Sequence, residues 1–363
     1  MKNLRKILVF LLVLVLGGML ITACGKSNST ALDGKTESSK AGSALASANP
    51  KGDVYVSANI NLLTGVQDLT PEAYGKRPVA VMVNNIKPSF PQYGIEAADI
   101  IFEIPVEGSA TRFMAIYGDY TQIPKICSIR SCRGYFPALS EGFDAVYVNW
   151  GMMDEVREYT NTLGLTQFDG KYNTGNLFSR DENRRASGYS LEHTGVFDGT
   201  RVDEVMAEKG MRTDIEADKR DTAFNFVAYG ETVTPTGGAC TVANVNFGIA
   251  KATFTYDAES GKYFKDYNGE PQIDGVTGNQ LSFTNVLVLE ANIKGAANGI
   301  HRDVDWHGGE GYYISNGAIQ KIKWSKEDEQ SRLMLYDEDG NELVMNRGKS
   351  YIAVNYIGKA TFE

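Results

Sequence analysis

The sequence has little of the chemistry on which enzymes and nucleic-acid-binding proteins most often rely. Only three of its 363 residues are histidine and only four are cysteine. It contains no CxxC metal pair, no HExxH helix, no Walker loop, no nucleophile elbow and no Rossmann glycine pattern. Acidic residues outnumber basic ones, 45 against 36, and the formal net charge is −9. Because nucleic-acid-binding proteins usually carry a basic face, this balance argues against nucleic acid as a partner.

The chain does contain an amino-terminal leader. Lys2, Arg5 and Lys6 precede an apolar run over residues 7–16, and small residues then lead to Cys24. This layout is typical of a secretory signal. A small residue directly before the cysteine is typical of bacterial lipoprotein processing, which leaves a diacylated cysteine. We therefore predict a signal peptide over residues 1–23, lipidation at Cys24, and anchoring at the extracytoplasmic face of the bacterial cell membrane.

A flexible tether is predicted to follow the lipidated cysteine. Residues 24–57 are small and polar, with no aromatic residue before Tyr55. Such a segment cannot bury enough apolar surface to fold by itself. The alternative for the leader, a transmembrane helix, needs about 20 mostly apolar residues. The run here is shorter and is interrupted by Gly17 and Gly18, so processing is favoured.

The remaining chain predicts an α+β fold of two domains. Continuous apolar runs alternate with helix-like stretches in the first part, which indicates a sheet covered on both faces. Residues 58–222 are therefore expected to form an α/β domain, with a mixed sheet and covering helices, that carries the site. Short strands joined by hairpin turns indicate a β-rich domain over residues 223–363. The first-domain strands are predicted over 79–83, 99–106, 112–117 and 145–148, and helices over 135–141, 152–163 and 200–209.

Three cysteines remain beyond the lipidated one, at positions 127, 132 and 240. Cys127 and Cys132 are five residues apart, about 17 Å when extended, whereas bridged Cα atoms lie within about 7 Å. A bridge would therefore need a tight bend between them. Free buried thiols are the favoured interpretation, and a disulfide is the alternative.

Polar residues follow the predicted strands of the first domain. If the strands are parallel, their carboxyl ends lie at one edge of the sheet, where ligands bind in open α/β folds. The alternative is that strand ends are polar because turns are polar. The residues concerned are Asn84, Asn85, Glu103, Glu107, Gly118, Asp119 and Asn149.

Three arginines lie in a stretch that is otherwise apolar or small: Arg112, Arg130 and Arg133. Arg130 and Arg133 would point the same way on a helical turn. Paired guanidinium groups bind carboxylates or phosphates through two hydrogen bonds. The alternative is an internal ion-pair network in which Glu103 and Glu107 hold the arginines. The sequence leaves both interpretations open.

The histidines and acidic clusters give no strong metal signal. His193 is a lone histidine, a residue that is usually structural. His301 and His307 could bind zinc only with a third ligand such as Asp303 or Asp305. The acidic run 337–342 lacks the twelve-residue frame of a calcium loop and is expected to be a hairpin turn. We predict no metal and no cofactor.

Several of these segments resemble the YerB family of bacterial lipoproteins. The similarity extends from about Leu62 to Ile357 and includes the aromatic, Arg-Asp and histidine positions around Phe178 and His193. The resemblance implies a two-domain, membrane-anchored lipoprotein with no established biochemical activity. Its motifs are Arg77–Asn85, Ala98–Glu103, Val106–Gly108, Thr111-Arg112, Arg130-Ser131 with Arg133, Asn285–Val288, Trp324–Lys326 and Asp339-Gly340.

The chain departs from the family pattern at three places. The family tends to have Asp at position 84, His at position 149 and Gly-Pro at positions 127–128, where this chain has Asn84, Asn149 and Cys127-Ser128. The first two differences remove ionisable groups from the expected crevice. Acid–base catalysis needs a titrating group near the bond, so the sequence favours a binding protein over an enzyme.

We therefore expect a lipid-anchored envelope protein that binds an anionic or sugar-like ligand, such as a cell-wall fragment. The alternatives are a hydrolase or transferase acting on cell-wall polymers, with Glu103 or Glu107 as acid or base, and a scaffold for another envelope protein. The membrane, through the lipid on Cys24, and such a ligand or envelope protein are the expected partners. The predicted ligand-binding residues are Asn85, Glu103, Glu107, Arg112, Arg130, Arg133 and His193.

Overall fold

The computed structural model describes residues 59–363. The predicted signal peptide, Cys24 and the predicted tether all lie outside the described residues. No helix among the described residues is both long and apolar enough to cross a membrane. The described residues belong to one compact unit.

Within residues 59–363, twenty-three short and medium-length strands account for most of the regular structure. In the first half of the described chain they are β1 (Val79–Asn85), β2 (Ile100–Pro105), β3 (Thr111–Tyr117), β4 (Lys125–Cys127), β5 (Val146–Asn149), β6 (Gln167–Asp169), β7 (Phe178–Arg180), β8 (Gly195–Asp198) and β9 (Asn225–Phe226). The later strands are β10 (Val242–Asn246), β11 (Lys251–Asp257), β12 (Lys262–Tyr267), β13 (Glu270–Pro271), β14 (Ser282–Phe283), β15 (Asn285–Ala291), β16 (Ile293–Gly295), β17 (Arg302–Val304), β18 (Gly309–Ser315), β19 (Ala318–Ser325), β20 (Met334–Tyr336), β21 (Val344–Met345), β22 (Ser350–Tyr356) and β23 (Ala360–Phe362).

Helices are few and short within the described residues. The α-helices are α1 (Tyr135–Glu141), α2 (Asp154–Leu163), α3 (Glu182–Ala186) and α4 (Val202–Glu208). Single 3₁₀ turns span Pro71–Ala73, Lys87–Ser89, Glu107–Ser109, Thr174–Asn176, Leu191–His193, Gly199–Arg201 and Ala217–Lys219.

A mixed ten-stranded sheet forms the centre of the protein. Its strand order is β20-β19-β18-β15-β22-β2-β3-β1-β5-β6, so strands from both halves of the chain share it. β1, β2 and β22 are buried along nearly their whole length, which explains their continuous apolar sequences. The α+β fold predicted from the sequence is confirmed. The predicted boundary between residues 222 and 223 falls just before β9 and stays a prediction.

The two faces of the central sheet pack against different layers. One face packs against a smaller sheet through residues such as Phe254 and Tyr263. The other face packs against α1 through Phe136 and Leu139. Because side chains alternate along a strand, neighbouring residues of β1 to β3 enter opposite cores.

Most of the elements predicted in the first half of the described chain are present. One strand in the second half is shorter than its sequence predicts. α1 has the predicted bounds, and the helix predicted over 200–209 is α4 preceded by a 3₁₀ turn. In the β-rich half, the apolar and aromatic residues of 224–229 also predict a strand, but only Asn225–Phe226 is paired, with the two residues of β21. Cys127, Cys132 and Cys240 are buried and unbridged, as the sequence favoured.

Candidate functional site

The carboxyl ends of several strands meet at one edge of the central sheet. β1 and β2 both pair antiparallel with β3, so they are parallel to each other. β5 pairs parallel with β1, and β6 with β5. Asn85, Asn149 and Asp169 end three of these strands, and β3 begins at the same edge with Thr111 opposite Asn85.

One part of the predicted convergence is wrong. β3 runs against its neighbours, so Gly118 and Asp119 lie at the opposite edge of the sheet. Asp119 there accepts hydrogen bonds from the backbone of Thr70 and from Thr121. The direction of β3 is set by its pairing with both β1 and β2, which the apolar pattern of one strand does not reveal.

Alternation along the strands divides the predicted site between two faces of the sheet. Glu103 and Thr111 lie on the face of Ile101 and Phe113, towards the smaller sheet. Arg112 lies on the face of Met114, towards α1. The structure therefore does not bring Asn85 and Glu103 together with the arginines.

Glu103 belongs to a fully buried polar network. Its Oε1 accepts hydrogen bonds from Asn85 Nδ2 at 2.6 Å and from Thr111 Oγ1 at 2.5 Å. Its Oε2 accepts a hydrogen bond from the Tyr351 hydroxyl and lies 3.8 Å from Lys265 Nζ. Burial raises the pKa of Glu103, although Lys265 and the hydrogen bonds oppose the rise. No solvent reaches this carboxyl group.

Lys265 is the partner that the sequence prediction missed. It lies on β12 between Tyr263 and Tyr267, at an inward-facing position of an alternating strand. Its Nζ donates to Gln272 Oε1 at 2.5 Å and lies within 6 Å of the centroids of four aromatic rings. In the sequence, Lys265 occupies a position where the alternation of β12 calls for an apolar residue. That mismatch could have indicated a buried acidic partner.

Glu107, Arg112 and Arg133 form a second cluster. We call these three residues, together with Arg130, the arginine cluster. Arg133 donates through Nε to Glu107 Oε2 at 2.7 Å and through Nη2 to Oε1. Arg112 Nη2 lies 3.7 Å from Glu107 Oε1, and its Nη1 donates to the Ser131 carbonyl at 2.7 Å. Two guanidinium groups therefore share one carboxylate.

The segment 130–133 is held across the strand ends by backbone hydrogen bonds. Arg130 N donates to Met82 O, Trp150 N to Arg130 O, and Cys132 N to Gly151 O. Residues 130–133 form no helix, so the alignment that a helical turn would give Arg130 and Arg133 does not arise. Arg130 pairs with Glu192 at 2.9 Å, whereas Arg133 pairs with Glu107.

The arginine cluster carries more positive than negative charge. Partial burial alone would raise the pKa of Glu107, but the hydrogen bonds from Arg133 and the charge of Arg112 lower it to about 2. Burial and then the neighbouring Arg133 lower the pKa of Arg112 to about 9, and Arg130 contributes in the same direction. Glu107 is thus ionised at neutral pH and is outnumbered by the guanidinium groups around it.

His193 lies beside Arg130 rather than beside Arg112. Its Nδ1 is 3.0 Å from Asn84 Nδ2, and its Nε2 is 3.7 Å from Glu192 Oε1. Burial lowers the pKa of His193, and the charges of Arg130 and Arg184 act in the same direction. The imidazole is therefore neutral at neutral pH.

Several buried polar atoms at this edge have no hydrogen-bond partner among the described residues. They are Arg112 Nε, Arg130 Nε, Asn149 Oδ1 and Asp169 Oδ2. The other polar atom of the Asn149 side chain, Nδ2, donates one hydrogen bond to Gly151 O at 3.0 Å. Unsatisfied buried polar groups are uncommon in folded proteins. Their concentration here marks the edge as a candidate binding site.

The described residues contain no group of three or more histidine, cysteine, aspartate or glutamate side chains that could hold a metal ion. His301 Nδ1 lies 3.3 Å from Asn298 Nδ2, and His307 Nδ1 lies 2.8 Å from Asp305 Oδ1. The acidic run 337–342 forms a turn in which Gly340 N donates to Asp337 O.

The fold and the residues at this edge define the chain as an α+β protein built around one mixed sheet. Its candidate site is polar and lies at the carboxyl edge of the parallel strands. Residues 63–212 match the family model "Protein of unknown function (DUF3048) N-terminal domain", and residues 243–352 match the corresponding C-terminal domain model. The chain belongs to the YerB-like family.

Two comparisons describe its relatives. The chain is 26% identical over 285 residues to the Bacillus subtilis protein named "Putative lipoprotein YerB", an alignment that covers 77% of this chain and 81% of that protein. It is also similar to the crystal structure of the YerB protein from Bacillus subtilis, with a TM-score of 0.70 and 24% identity. That match covers 83% of this chain and 98% of the crystallised chain, and it supports the fold.

Proposed function

We propose that this protein is a lipoprotein of the bacterial cell envelope that binds an anionic ligand at the arginine cluster. The name of the Bacillus subtilis relative supports the lipoprotein part of the proposal, together with the leader and Cys24. Anchoring through the lipid would hold the protein at the extracytoplasmic face of the membrane. Cell-wall fragments that carry carboxylate or phosphate groups are ligands of the required charge.

One observation supports the binding site most strongly. Arg112 and Arg133 share the single carboxylate of Glu107, and Arg130, which pairs with Glu192, adds a third guanidinium group nearby. A buried cation is costly unless it is paired. An anion that accepts from the free Nε groups of Arg112 and Arg130 would supply the missing charge. Guanidinium groups suit carboxylates and phosphates because both can accept two hydrogen bonds at once.

Binding accounts for these residues better than acid–base catalysis does. Glu103 is enclosed in the protein, and a catalytic carboxyl group must reach its substrate. Glu107 is ionised by its arginine neighbours and has no proton to donate at neutral pH. The two carboxyl groups also have separate partners, Glu103 with Lys265 between the sheets and Glu107 with Arg133 in the turn after β2, whereas a glycosidase pair flanks one bond.

Anion titrations of the detergent-solubilised full protein test the proposal. Inorganic phosphate and acetate, added separately at constant ionic strength, distinguish the two anion classes. We expect one of them to raise the melting temperature of the wild type and to raise that of Arg133→Ala much less. Arg201→Ala is the matched control, because it removes a partly exposed arginine that pairs with Glu204 and donates to the Asn176 carbonyl. Equal shifts in all three proteins, or no shift in the wild type, would contradict the proposal.

A further inference from the structure

A large groove lies on the face of the protein that carries α1 and α2. Its volume is about 660 Å³, within the range of about 300–1,000 Å³ that is typical of ligand sites. Its lining comes from the start of α1, from α2, from the β16–β17 hairpin with Trp306, and from the loop from Lys326 to Glu329. We call it the acidic groove.

Carboxylates without partners line this groove. Glu155, Asp303, Glu327 and Glu329 accept no side-chain hydrogen bond and form no ion pair within the described chain. They come from a helix, a hairpin and a loop, so their negative charges surround the groove rather than cluster at one point. Repulsion among them is relieved when a cationic group enters.

The lysines in the lining form no ion pair with these four carboxylates, although the charge of Lys326 acts on that of Glu329. Lys326 is buried, and its ammonium donates to the carbonyls of Asp328, Glu329 and Ser331 at 2.7, 2.9 and 2.6 Å. All three of its protons are therefore used to hold the loop in shape. Lys294 lies near Asp305, which also pairs with His307 at 2.8 Å.

The loop that carries two of the carboxylates is well supported. Asp328 Oδ1 accepts hydrogen bonds from the backbone of Gln330 and Ser331 at 3.0 and 2.7 Å, and from Ser331 Oγ at 2.6 Å. Together with the Lys326 ammonium, these contacts fix the backbone on either side of Glu327 and Glu329. A fixed loop reduces the ordering cost of binding.

Aromatic side chains supply the other surface that a cationic chain needs. Tyr135 of α1 and Tyr159 of α2 line the groove, as does Trp306, which is held edge-to-face against Trp324 at 5.9 Å between ring centroids. Aromatic faces attract ammonium and guanidinium groups and cover the apolar stems of lysine and arginine.

We propose that the acidic groove binds an extended basic peptide segment that carries at least two lysine or arginine side chains. The carboxylates are too dispersed for a metal ion, since no described group of ligating side chains could hold one. Their spread over three elements fits cations spaced along a chain. The size of the groove and its aromatic walls fit the backbone and side-chain stems between those cations. This site is separate from the arginine cluster and does not depend on the proposed anion ligand.

A fluorescent peptide, acetyl-Lys-Ala-Lys-Ala-Lys-amide, is the probe, and its affinity for the full solubilised protein is measured by anisotropy at low and moderate salt. We expect binding that weakens with salt, because exposed charges are screened. The double variant Glu327→Gln/Glu329→Gln should bind about tenfold more weakly, because two charge contacts are lost. The matched control Glu231→Gln/Glu259→Gln removes two exposed carboxylates far from the groove in sequence and should bind like the wild type.

Two further arms decide the class of ligand. The same peptide with acetylated lysines should not bind, and spermine should compete at least tenfold more weakly than the unlabelled peptide. Arg133→Ala should retain peptide binding, which separates this site from the anion site. Wild-type affinity in the double variant, equal binding of the acetylated peptide, or competition by spermine as strong as that of the peptide would overturn the proposal.

Discussion

Glu103 on β2 and Lys265 on β12 face each other in the interior, with Oε2 and Nζ 3.8 Å apart and neither side chain exposed. The two residues lie in the segments matched by the two different domain models. Burial raises the pKa of Glu103 and lowers that of Lys265. The pair and its hydrogen bonds therefore connect the central sheet to the smaller sheet through a polar contact inside an otherwise apolar layer.

Breaking this pair from one side should destabilise the protein strongly. Lys265→Met leaves the Glu103 carboxylate buried without its cation, which costs about 3–5 kcal/mol in such pairs. The double variant Glu103→Gln/Lys265→Met should be more stable than Lys265→Met, since it leaves no isolated charge. Urea unfolding of the wild type and these variants measures both values. If Lys265→Met has the same unfolding free energy as the wild type, the pair does not stabilise the fold in this way.

The pairing of Glu103 also shows where sequence reasoning stops. The apolar runs of β1, β2, β3 and β5 predict strands because each is buried on both faces. No local signal shows that β3 runs antiparallel, since strand direction depends on pairing between distant segments. Because one residue of shift changes the face of the sheet, Glu103 and Arg112 could not be separated without the register.

The arginines illustrate the same limit within a short segment. Their presence in an apolar stretch correctly indicates an unusual electrostatic environment. Their spacing would align them on a helical turn, but the segment forms no helix and is held by backbone hydrogen bonds to Met82, Trp150 and Gly151. These partners, like Glu107 and Glu192, are distant in sequence, so only the fold brings Glu107 to Arg133 and Glu192 to Arg130.

Acid should remove the stabilisation that Glu107 provides. Its pKa in the folded protein, about 2, lies below the ordinary value of 4.5. The ionised carboxylate therefore stabilises the fold fully above about pH 4.5, and this stabilisation is lost as the pH falls toward 2. The difference in unfolding free energy between wild type and Glu107→Gln should shrink over that range. A difference that stays constant with pH would mean that Glu107 titrates normally in the folded state.

The three internal thiols should be unreactive until the protein unfolds. Burial raises the pKa of Cys127 and of Cys132 to about 12, and Cys240 is also buried. The thiolate is the reactive form, so a water-soluble thiol reagent should label none of them in the folded protein. In denaturant without reductant, all three should react. Labelling of only one would reveal a disulfide between the others.

Membrane attachment should depend on Cys24. The variant Cys24→Ala removes the only cysteine at the predicted processing site, so it should lose incorporation of labelled fatty acid in bacterial cells. Cys240→Ala is the matched control and should be labelled like the wild type. A Cys24→Ala protein that is still acylated would show that the lipid is attached elsewhere.

Native mass spectrometry tests the proposed anion site most directly. The protein is purified from its own cell envelope in mild detergent, and the mass of any retained molecule is read from the intact complex. We predict that the wild type and Arg201→Ala retain a small anionic molecule, whereas Arg133→Ala releases it and also melts at a lower temperature, because it loses its pairing with Glu107. A wild-type protein that carries no retained molecule, or equal retention by Arg133→Ala, would contradict ligand binding at the arginine cluster.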